Sequence, residues 1–354
     1  MPYTIGACGY IGTGSSAVSD FLKEFADNQA LDKLEFKLAY HTDGLLDLKY
    51  HLTDGNMKYE AGLSAIQRFQ KSCRGYQCKN YRRLTNNRFV PLADEFLESL
   101  IQAKWVGLGA DPAIDPFRLK VSRIMRDMGL FKYYYELEIK KGRELQIYPL
   151  QQIYFSMYPE DIDEKIKRFV CSVLEAMGWD KKRNVVLDQP FAGNNPEAVF
   201  PFFENPKAIV IDRDPRDYYL AYPSFYYSKG WRQVPAHSVE DFVVFYRKIR
   251  ETSLAVESDR VLRINFEDMI YRYDSTTSRI REFCDLKEHT NPRRYFKPEM
   301  SAKNTQLFRK FPEYADQVAY IEKMLPEYLY DYDAPGCDKY DINGEMFHEN
   351  PLNK

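Results

Sequence analysis

The glycine-rich stretch IGACGYIGTGSS, residues 5–16, constrains the fold more than any other part of the chain. It continues a short apolar run, and after it Val18, Phe21, Leu22 and Phe25 recur at helical spacing. The pattern predicts a strand, a tight loop and a helix in succession. Such a loop gathers backbone N–H groups at the positive end of a helix dipole, where an anion is favoured. We therefore expect an α/β fold with an anion site in this loop.

The rest of the chain extends this alternation of strands and helices. Short apolar runs predict further strands at residues 34–40, 184–188, 207–212 and 260–266. Helices are predicted at residues 43–52, after 196, from 215, at 275–284 and at 313–330. Apolar cores of about three residues suit strands that are buried on both faces of a parallel sheet. We expect one domain over residues 1–334, with a central, mainly parallel sheet, helices on both faces, a large helical insertion at 56–183, and an irregular tail at 335–354.

Composition excludes several classes of partner. The formal net charge is −2, so the chain has no overall field that would attract nucleic acid. Six cysteines occur without C-x-x-C spacing, and no neighbouring pair completes a metal site with Cys73 and Cys78, so no metal is expected. We find no N-terminal signal segment and no apolar run long enough to cross a bilayer. These features predict a reduced, soluble, cytoplasmic protein, and they leave its oligomeric state open.

Two incompatible interpretations of the glycine-rich loop predict different functions. The spacing G-x-x-G-x-x-G from Gly6 resembles the dinucleotide loop of extended short-chain dehydrogenases, whereas G-x4-G-S-S from Gly9 resembles a phosphate-binding P-loop. The dehydrogenases also need a Tyr-x3-Lys pair, and no lysine of this chain has a tyrosine four residues before it. An ordinary P-loop ATPase needs a lysine where Ser15 stands. An NAD(P)-dependent epimerase or reductase and a P-loop protein without that lysine therefore remain as alternatives.

A second stretch, AIVIDRDPRDYYLAYPSFY at residues 208–226, favours the P-loop interpretation. Its RDPRD segment, which begins at Arg213, resembles the 3′-phosphate-binding motif of sulfotransferases, in which a buried strand delivers an arginine to the start of a helix. Residues 261–286 resemble the next strand, turn and helix of that family, and residues 301–311 resemble its C-terminal basic loop. The four stretches occur in the family's order. The chain thus resembles the sulfotransferases that use 3′-phosphoadenosine-5′-phosphosulfate (PAPS), which have a P-loop fold.

This resemblance implies transfer of a sulfuryl group from PAPS to an acceptor hydroxyl, with 3′,5′-adenosine bisphosphate (PAP) as product and no metal. The 5′-phosphosulfate would be held by Gly12, Thr13, Gly14, Ser15 and Ser16. Arg213 would bind the 3′-phosphate through its planar guanidinium. The nucleotide site would be completed by Ser224, by Lys303 and Asn304, or by Arg309 and Lys310.

The general base and one cation need separate assignments. In the family the base follows the strand that precedes the arginine-bearing strand, and Asp188 stands there; His41 and His237 are alternatives. Poor solvation at a strand end would raise the pKa of this carboxyl and make it a stronger base. The family also carries a lysine or arginine in the loop where this chain has Gly12. Lys229 or Arg232 is a candidate for the missing charge.

The acceptor is predicted only by class. Residues 218–231 contain seven aromatic side chains, which either pack in the core or line a site for a sugar, sterol or phenol. Residues 133–135 and 151–158 are further candidates for the acceptor pocket. A glycan and a hydrophobic alcohol both remain open as acceptors. A nucleotide-binding module without catalysis is a further alternative, because the loop lacks its cation.

Overall fold

The computed structural model describes residues 2–108, 124, 127–130 and 150–347. The strands are β1 (Thr4–Gly9), β2 (Asn28–Glu35), β3 (Ala103–Leu108), β4 (Leu150–Phe155), β5 (Asn184–Asp188), β6 (Pro206–Asp212) and β7 (Val261–Asn265). The α-helices are α1 (Ser15–Leu22), α2 (Leu45–Leu52), α3 (Tyr59–Arg74), α4 (Lys79–Leu84), α5 (Phe89–Leu100), α6 (Ile162–Ala176), α7 (Pro215–Ser224), α8 (Val239–Glu251), α9 (Phe266–Tyr271), α10 (Tyr273–Phe283), α11 (Pro298–Ser301), α12 (Leu307–Lys310) and α13 (Ala315–Met324).

The chain divides into two compact units. The sheet unit comprises residues 1–40 and 170–354, and the helical unit comprises residues 41–169. In the helical unit, the phenylalanine rings of α3, α5 and α6 pack together, with Phe96 stacked on Phe169 at 4.7 Å between ring centroids. This unit also contains an antiparallel hairpin of β3 and β4, which the sequence pattern did not predict. Residues 133–135, a candidate part of the acceptor pocket, lie outside the described residues.

A five-stranded parallel sheet forms the centre of the sheet unit, in the order β2-β5-β1-β6-β7. The predicted α/β fold is therefore confirmed. In the dinucleotide-binding order the second strand lies beside the first. Here β5 separates β1 from β2, which lies at the edge. This strand order departs from the one that the dehydrogenase interpretation requires.

One strand was predicted in the wrong place. We expected it at residues 34–40, but β2 ends at Glu35 and residues 37–39 form a 3₁₀ turn. Phe36 precedes that turn, Leu38 and Ala39 lie within it, and all three are fully buried. Their apolar pattern is therefore due to burial and not to strand pairing. The paired segment of β2, NQALDKLE, is mostly polar because an edge strand has one neighbour and is only partly covered.

The core of the sheet unit fixes the direction in which the strands end. Ile5 and Ala7 of β1 are fully buried against Val18 and Phe21 of α1. Since β1, β5 and β6 are parallel, their carboxyl ends meet at one edge of the sheet, where α/β proteins bind ligands. The end of the glycine-rich stretch follows β1, Asp188 is the last residue of β5, and Arg213 follows β6.

Candidate functional site

Two glycines give the loop after β1 its shape. Gly12 and Gly14 have φ angles of 83° and 102°, in the left-handed region that disfavours other residues. A Cβ atom on Gly14 would also lie 2.5 Å from the ring of Phe266. Gly6, by contrast, packs within β1 against Pro190 and Phe191. The last residues of the glycine-rich stretch, and not the first, form the turn into α1.

The three hydroxyl side chains of the loop point in different directions. Thr13 is buried and donates to the carbonyl of Tyr10 at 3.0 Å. Ser15 donates to Oδ1 of Asp188 at 3.0 Å and accepts from Nε2 of Gln189 at 2.9 Å. Ser16 is exposed at the first turn of α1. Ser16 is thus the loop hydroxyl placed to meet a ligand, while Thr13 and Ser15 hold the protein's own structure.

Asp188 ends β5 beside the loop, as the sequence predicted. Burial raises the pKa of its carboxyl to about 7, and the negative charges of Glu35 and Asp32 add to this effect. The hydrogen bond from Ser15 opposes it. A carboxyl with this pKa is a competent proton acceptor near neutral pH.

The two alternative bases have different surroundings. The His237 side chain is 68% exposed, and its Nε2 lies 3.7 Å from Oδ2 of Asp241 in the first turn of α8. His41 belongs to the helical unit, where its Nδ1 lies 2.5 Å from the Thr42 carbonyl oxygen. Neither histidine lines the cavity described below.

Arg213 connects the glycine-rich loop to the C-terminal basic loop. Its Nη1 donates to the Gly12 carbonyl at 2.9 Å and its Nη2 donates to the Asn304 carbonyl at 2.6 Å. The side chain is 3% exposed, and its Nε has no hydrogen-bond partner among the described residues. A buried guanidinium nitrogen without a partner is costly, which points to an absent acceptor.

The other charges of the RDPRD segment are structural. Asp214 caps α7 and pairs with Arg216 at 2.8 Å, and Arg216 also pairs with Glu322. Arg216 is buried, so its charge depends on these partners. Asp217 accepts from the backbone N–H groups of Gln306 and Leu307 at 2.9 and 2.7 Å. This carboxylate holds the C-terminal loop beside Arg213.

The remaining predicted nucleotide residues are only partly brought together. Asn304 lines the cavity, but its Oδ1 accepts from the Phe347 N–H at 2.7 Å. Lys303 and Ser224 do not line the cavity. The Ser224 hydroxyl donates to the Leu220 carbonyl within α7, which turns it away from any ligand.

One cavity of about 790 Å³ joins these elements within the sheet unit. Its wall contains Gly12, Gly14, Ser16, Asp188 and Arg213. Lining residues that the sequence analysis did not assign include Lys23, Asp32, Phe266, Tyr295, Phe296 and Phe347. Phe266 lies in the stretch at 261–286 that resembles the family, so that stretch was a usable signal. No pattern marked Phe347, which comes from the tail predicted to be irregular.

The aromatic stretch at residues 218–231 divides between core and cavity. Tyr218, Tyr219 and Tyr222 are at most 4% exposed and pack in the core, while Phe225, Tyr226 and Trp231 line the cavity. The rings of Tyr226 and Trp231 stack at 5.6 Å with an interplanar angle of 6°. The stretch thus contributes both to the core and to the wall of the cavity.

A buried carboxylate organises the wall formed by residues 295 and 296. Glu24 is fully buried, and its oxygens accept from the backbone N–H groups of Arg293, Tyr295 and Phe296, each at 3.0 Å. His289 Nε2 lies 2.8 Å from the same carboxylate. The sequence analysis missed this residue because its partners are more than 260 positions away along the chain.

The described residues also bear on metal binding and on membrane crossing. Over residues 2–108, 124, 127–130 and 150–347, no group of three or more His, Cys, Asp or Glu side chains is arranged to hold a metal ion. No helix within those same ranges is both long and apolar enough to cross a membrane.

Comparisons with known proteins point to one family. Residues 136–291 match the profile of a sulfotransferase family. A comparison with curated protein sequences found no significant match. The match covers the segment with Asp188, Arg213 and the stretch at 261–286, and it lies outside the glycine-rich loop.

Solved structures with similarity to this chain include three sulfotransferases. The sulfotransferase domain of the curacin biosynthetic pathway is 14% identical, with 81% of this chain and 75% of that chain covered and a TM-score of 0.37. The domain from the Synechococcus olefin synthase is 13% identical, with 90% and 94% covered and a TM-score of 0.36. A sulfotransferase from Mycobacterium avium is 13% identical, with 98% and 78% covered and a TM-score of 0.35.

Proposed function

Because residues 136–291 match the profile of a sulfotransferase family, we propose that the protein transfers a sulfuryl group from PAPS to the hydroxyl of a small-molecule or glycan acceptor. The observation that carries this proposal is that Ser16 and Arg213 line one cavity. A donor with a phosphosulfate at one end and a 3′-phosphate at the other needs an anion site at each of two separate points. The N-terminus of α1 and the guanidinium of Arg213 supply such sites.

The residues present fit this donor. Gly12 and Gly14 adopt left-handed conformations that open the loop toward the cavity, and the buried Nε of Arg213 has no partner among the described residues. An incoming phosphate would accept from that nitrogen and from the guanidinium hydrogens that the Gly12 and Asn304 carbonyls leave unused. Phe266 packs against Gly14 and its ring centre lies 5.3 Å from the Arg213 guanidinium, so one apolar ring borders both anion sites.

Asp188 is the proposed general base. The acceptor hydroxyl would give its proton to the carboxylate as its oxygen bonds to sulfur, and the bond from sulfur to the bridging oxygen would break in the same step. The hydrogen bond from Ser15 fixes the orientation of the carboxylate, since Ser15 is itself held by Gln189. Because the pKa is about 7, a large fraction of Asp188 is ionised and ready to accept at neutral pH.

The acceptor would bind against the cavity wall that carries Tyr226, Trp231 and Phe225. The Trp231 side chain is 57% exposed, and the flat pair that it forms with Tyr226 presents a ring face. Ring faces of this kind bind sugar rings and phenols. Both classes of acceptor therefore remain within the proposal.

Ligand binding and transfer test the proposal together. We expect PAP to bind and raise the melting temperature, with ATP and NADPH having little effect, and we expect radiolabelled sulfate to pass from PAPS to members of a hydroxyl panel of phenols, sterols and sugars. Arg213→Gln should weaken PAP binding more than binding of adenosine 5′-phosphate, which lacks the 3′-phosphate. Stabilisation by NADPH and not by PAP would overturn the proposal. Binding of PAP without transfer or hydrolysis of PAPS would instead support a non-catalytic nucleotide-binding protein.

A further inference from the structure

Sulfuryl transfer, if the proposed function holds, leaves negative charge on the phosphate oxygen that loses sulfur. A positive group at that oxygen lowers the barrier, because it acts where charge develops. The loop cannot supply this group from Gly12. That residue has a φ of 83°, and a Cβ atom there would lie 3.4 Å from the Tyr222 hydroxyl and 3.7 Å from the ring of Tyr226. The loop is therefore packed directly against the element that follows α7.

The described cavity wall carries the cations Lys23, Arg213, Lys229 and Lys297. Two of them already have partners. The guanidinium of Arg213 donates to the carbonyls of Gly12 and Asn304. Lys23 forms an ion pair with Asp20 of α1 at 2.8 Å and a second one with Asp32 of β2. The second pair ties the end of α1 to β2. Moving Lys23 toward a donor phosphate would leave both carboxylates without their counter-charge.

Lys229 is placed differently. It ends the 3₁₀ turn Tyr226–Lys229, the same turn whose first residue abuts Gly12, and it lines the cavity with Ser16 and Asp188. Its Nζ lies 5.6 Å from the centre of the Phe225 ring, and it forms no ion pair with another described residue. Gly230, with a φ of 78°, ends the turn, and the stack of Trp231 on Tyr226 holds it in place.

We propose that Lys229 supplies the positive charge that the glycine-rich loop lacks. In the balanced step, the acceptor oxygen forms a bond to sulfur and its proton passes to Asp188. The bond from sulfur to the bridging oxygen breaks, and its electron pair remains on the phosphate of the product. The Lys229 ammonium would donate to that oxygen. The positive charge would thus come from the turn Tyr226–Lys229 and not from the glycine-rich loop.

Arg232 provides a matched control for this proposal. It lies three residues further along the chain, its guanidinium is 5.1 Å from the centre of the Tyr227 ring, and it does not line the cavity. Removal of Arg232 changes the local charge by the same amount as removal of Lys229. It leaves the cavity wall intact.

The test compares Lys229→Ala, Lys229→Arg, Arg232→Ala and Lys297→Ala in the full chain. Single-turnover loss of the radiolabelled sulfuryl group from PAPS is measured with a hydroxyl acceptor from the panel and with water alone, and the dependence of this rate on PAPS concentration gives the PAPS affinity. We expect Lys229→Ala to slow release about 100-fold in both reactions, the effect typical of one lost charge-stabilising donor. PAPS affinity should change less than about fivefold, because the bridging oxygen is still bonded to sulfur in PAPS and carries little charge. Lys229→Arg should recover most of the rate, and Arg232→Ala should stay within about threefold of the wild type.

Three results would overturn the proposal. The first is a rate for Lys229→Ala close to that of the wild type. The second is a loss of rate in Lys297→Ala alone, which would assign the charge to Lys297. The third is an equal loss of rate and PAPS affinity in Lys229→Ala without rescue by arginine, which would make Lys229 a nucleotide anchor. A wild-type protein that neither transfers nor hydrolyses PAPS would refute the proposed function itself, and this inference with it.

Discussion

Replacing Asp188 by asparagine should stabilise the protein at alkaline pH while abolishing the proposed base. Burial raises the pKa of this carboxyl from 3.8 to about 7. The folded state therefore binds a proton that the unfolded state has released, and stability falls as the pH rises from 3.8 through 7. At about 1.4 kcal/mol per pKa unit, the shift lowers the free energy of unfolding by at most about 4 kcal/mol over this pH range. About 3 kcal/mol of this stability should be lost between pH 5 and pH 8, because the shifted pKa lowers stability only over the part of this range below pH 7.

Asparagine keeps an oxygen that accepts from Ser15 but has no charge to bury. Urea unfolding, followed by tryptophan fluorescence, gives the free energy of unfolding of both proteins at pH 5 and pH 8. We expect Asp188→Asn to gain about 3 kcal/mol relative to the wild type between these two values. Asp180→Asn is the control, since backbone N–H groups of Arg183 and Lys182 lower the pKa of that exposed carboxyl to about 2.

Asp180 is ionised in both states over this range, so its replacement should change stability equally at pH 5 and pH 8. The reasoning about Asp188 fails if its asparagine variant gains nothing at pH 8 relative to pH 5. It also fails as a functional assignment if that variant turns over normally.

Further predictions concern the base, the loop and the cavity wall. The transfer rate should rise with pH around an apparent pKa near 7. Asp32→Asn should move this rise to lower pH, because it removes a negative charge that raises the pKa of Asp188. A pH profile that does not move would count against Asp188 as the base. Gly14→Ala should destabilise the fold by about 1 to 3 kcal/mol, because alanine is strained at a φ of 102°. It should also displace Phe266 and weaken PAP binding in calorimetry. Glu24→Gln should cost about 2 kcal/mol in urea unfolding, because one amide oxygen cannot accept all the hydrogen bonds of residues 293–296. An unchanged midpoint would show that this carboxylate does not organise the wall.

The sequence alone determined the framework of the site. Buried apolar runs specified most strands of the parallel sheet, and the glycines at 12 and 14 specified a loop that turns into a helix. Because parallel strands end at one edge of a sheet, placing Asp188 and Arg213 directly after strands was sufficient to bring them near that loop. These predictions depend on local backbone preferences and on periodic burial, which neighbouring residues encode.

Only the tertiary structure decided which atoms face the cavity. The sequence assigned one role to Thr13, Ser15 and Ser16, yet Ser15 is turned toward Asp188 and Gln189 while Ser16 remains exposed. It could not divide the aromatic stretch after Arg213 between core and cavity. Nor could it anticipate that Glu24 would organise a loop far along the chain, or that Phe347 of the tail would line the site. The direction of a side chain depends on partners that are distant in sequence and adjacent only after folding, so local pattern carries no record of it.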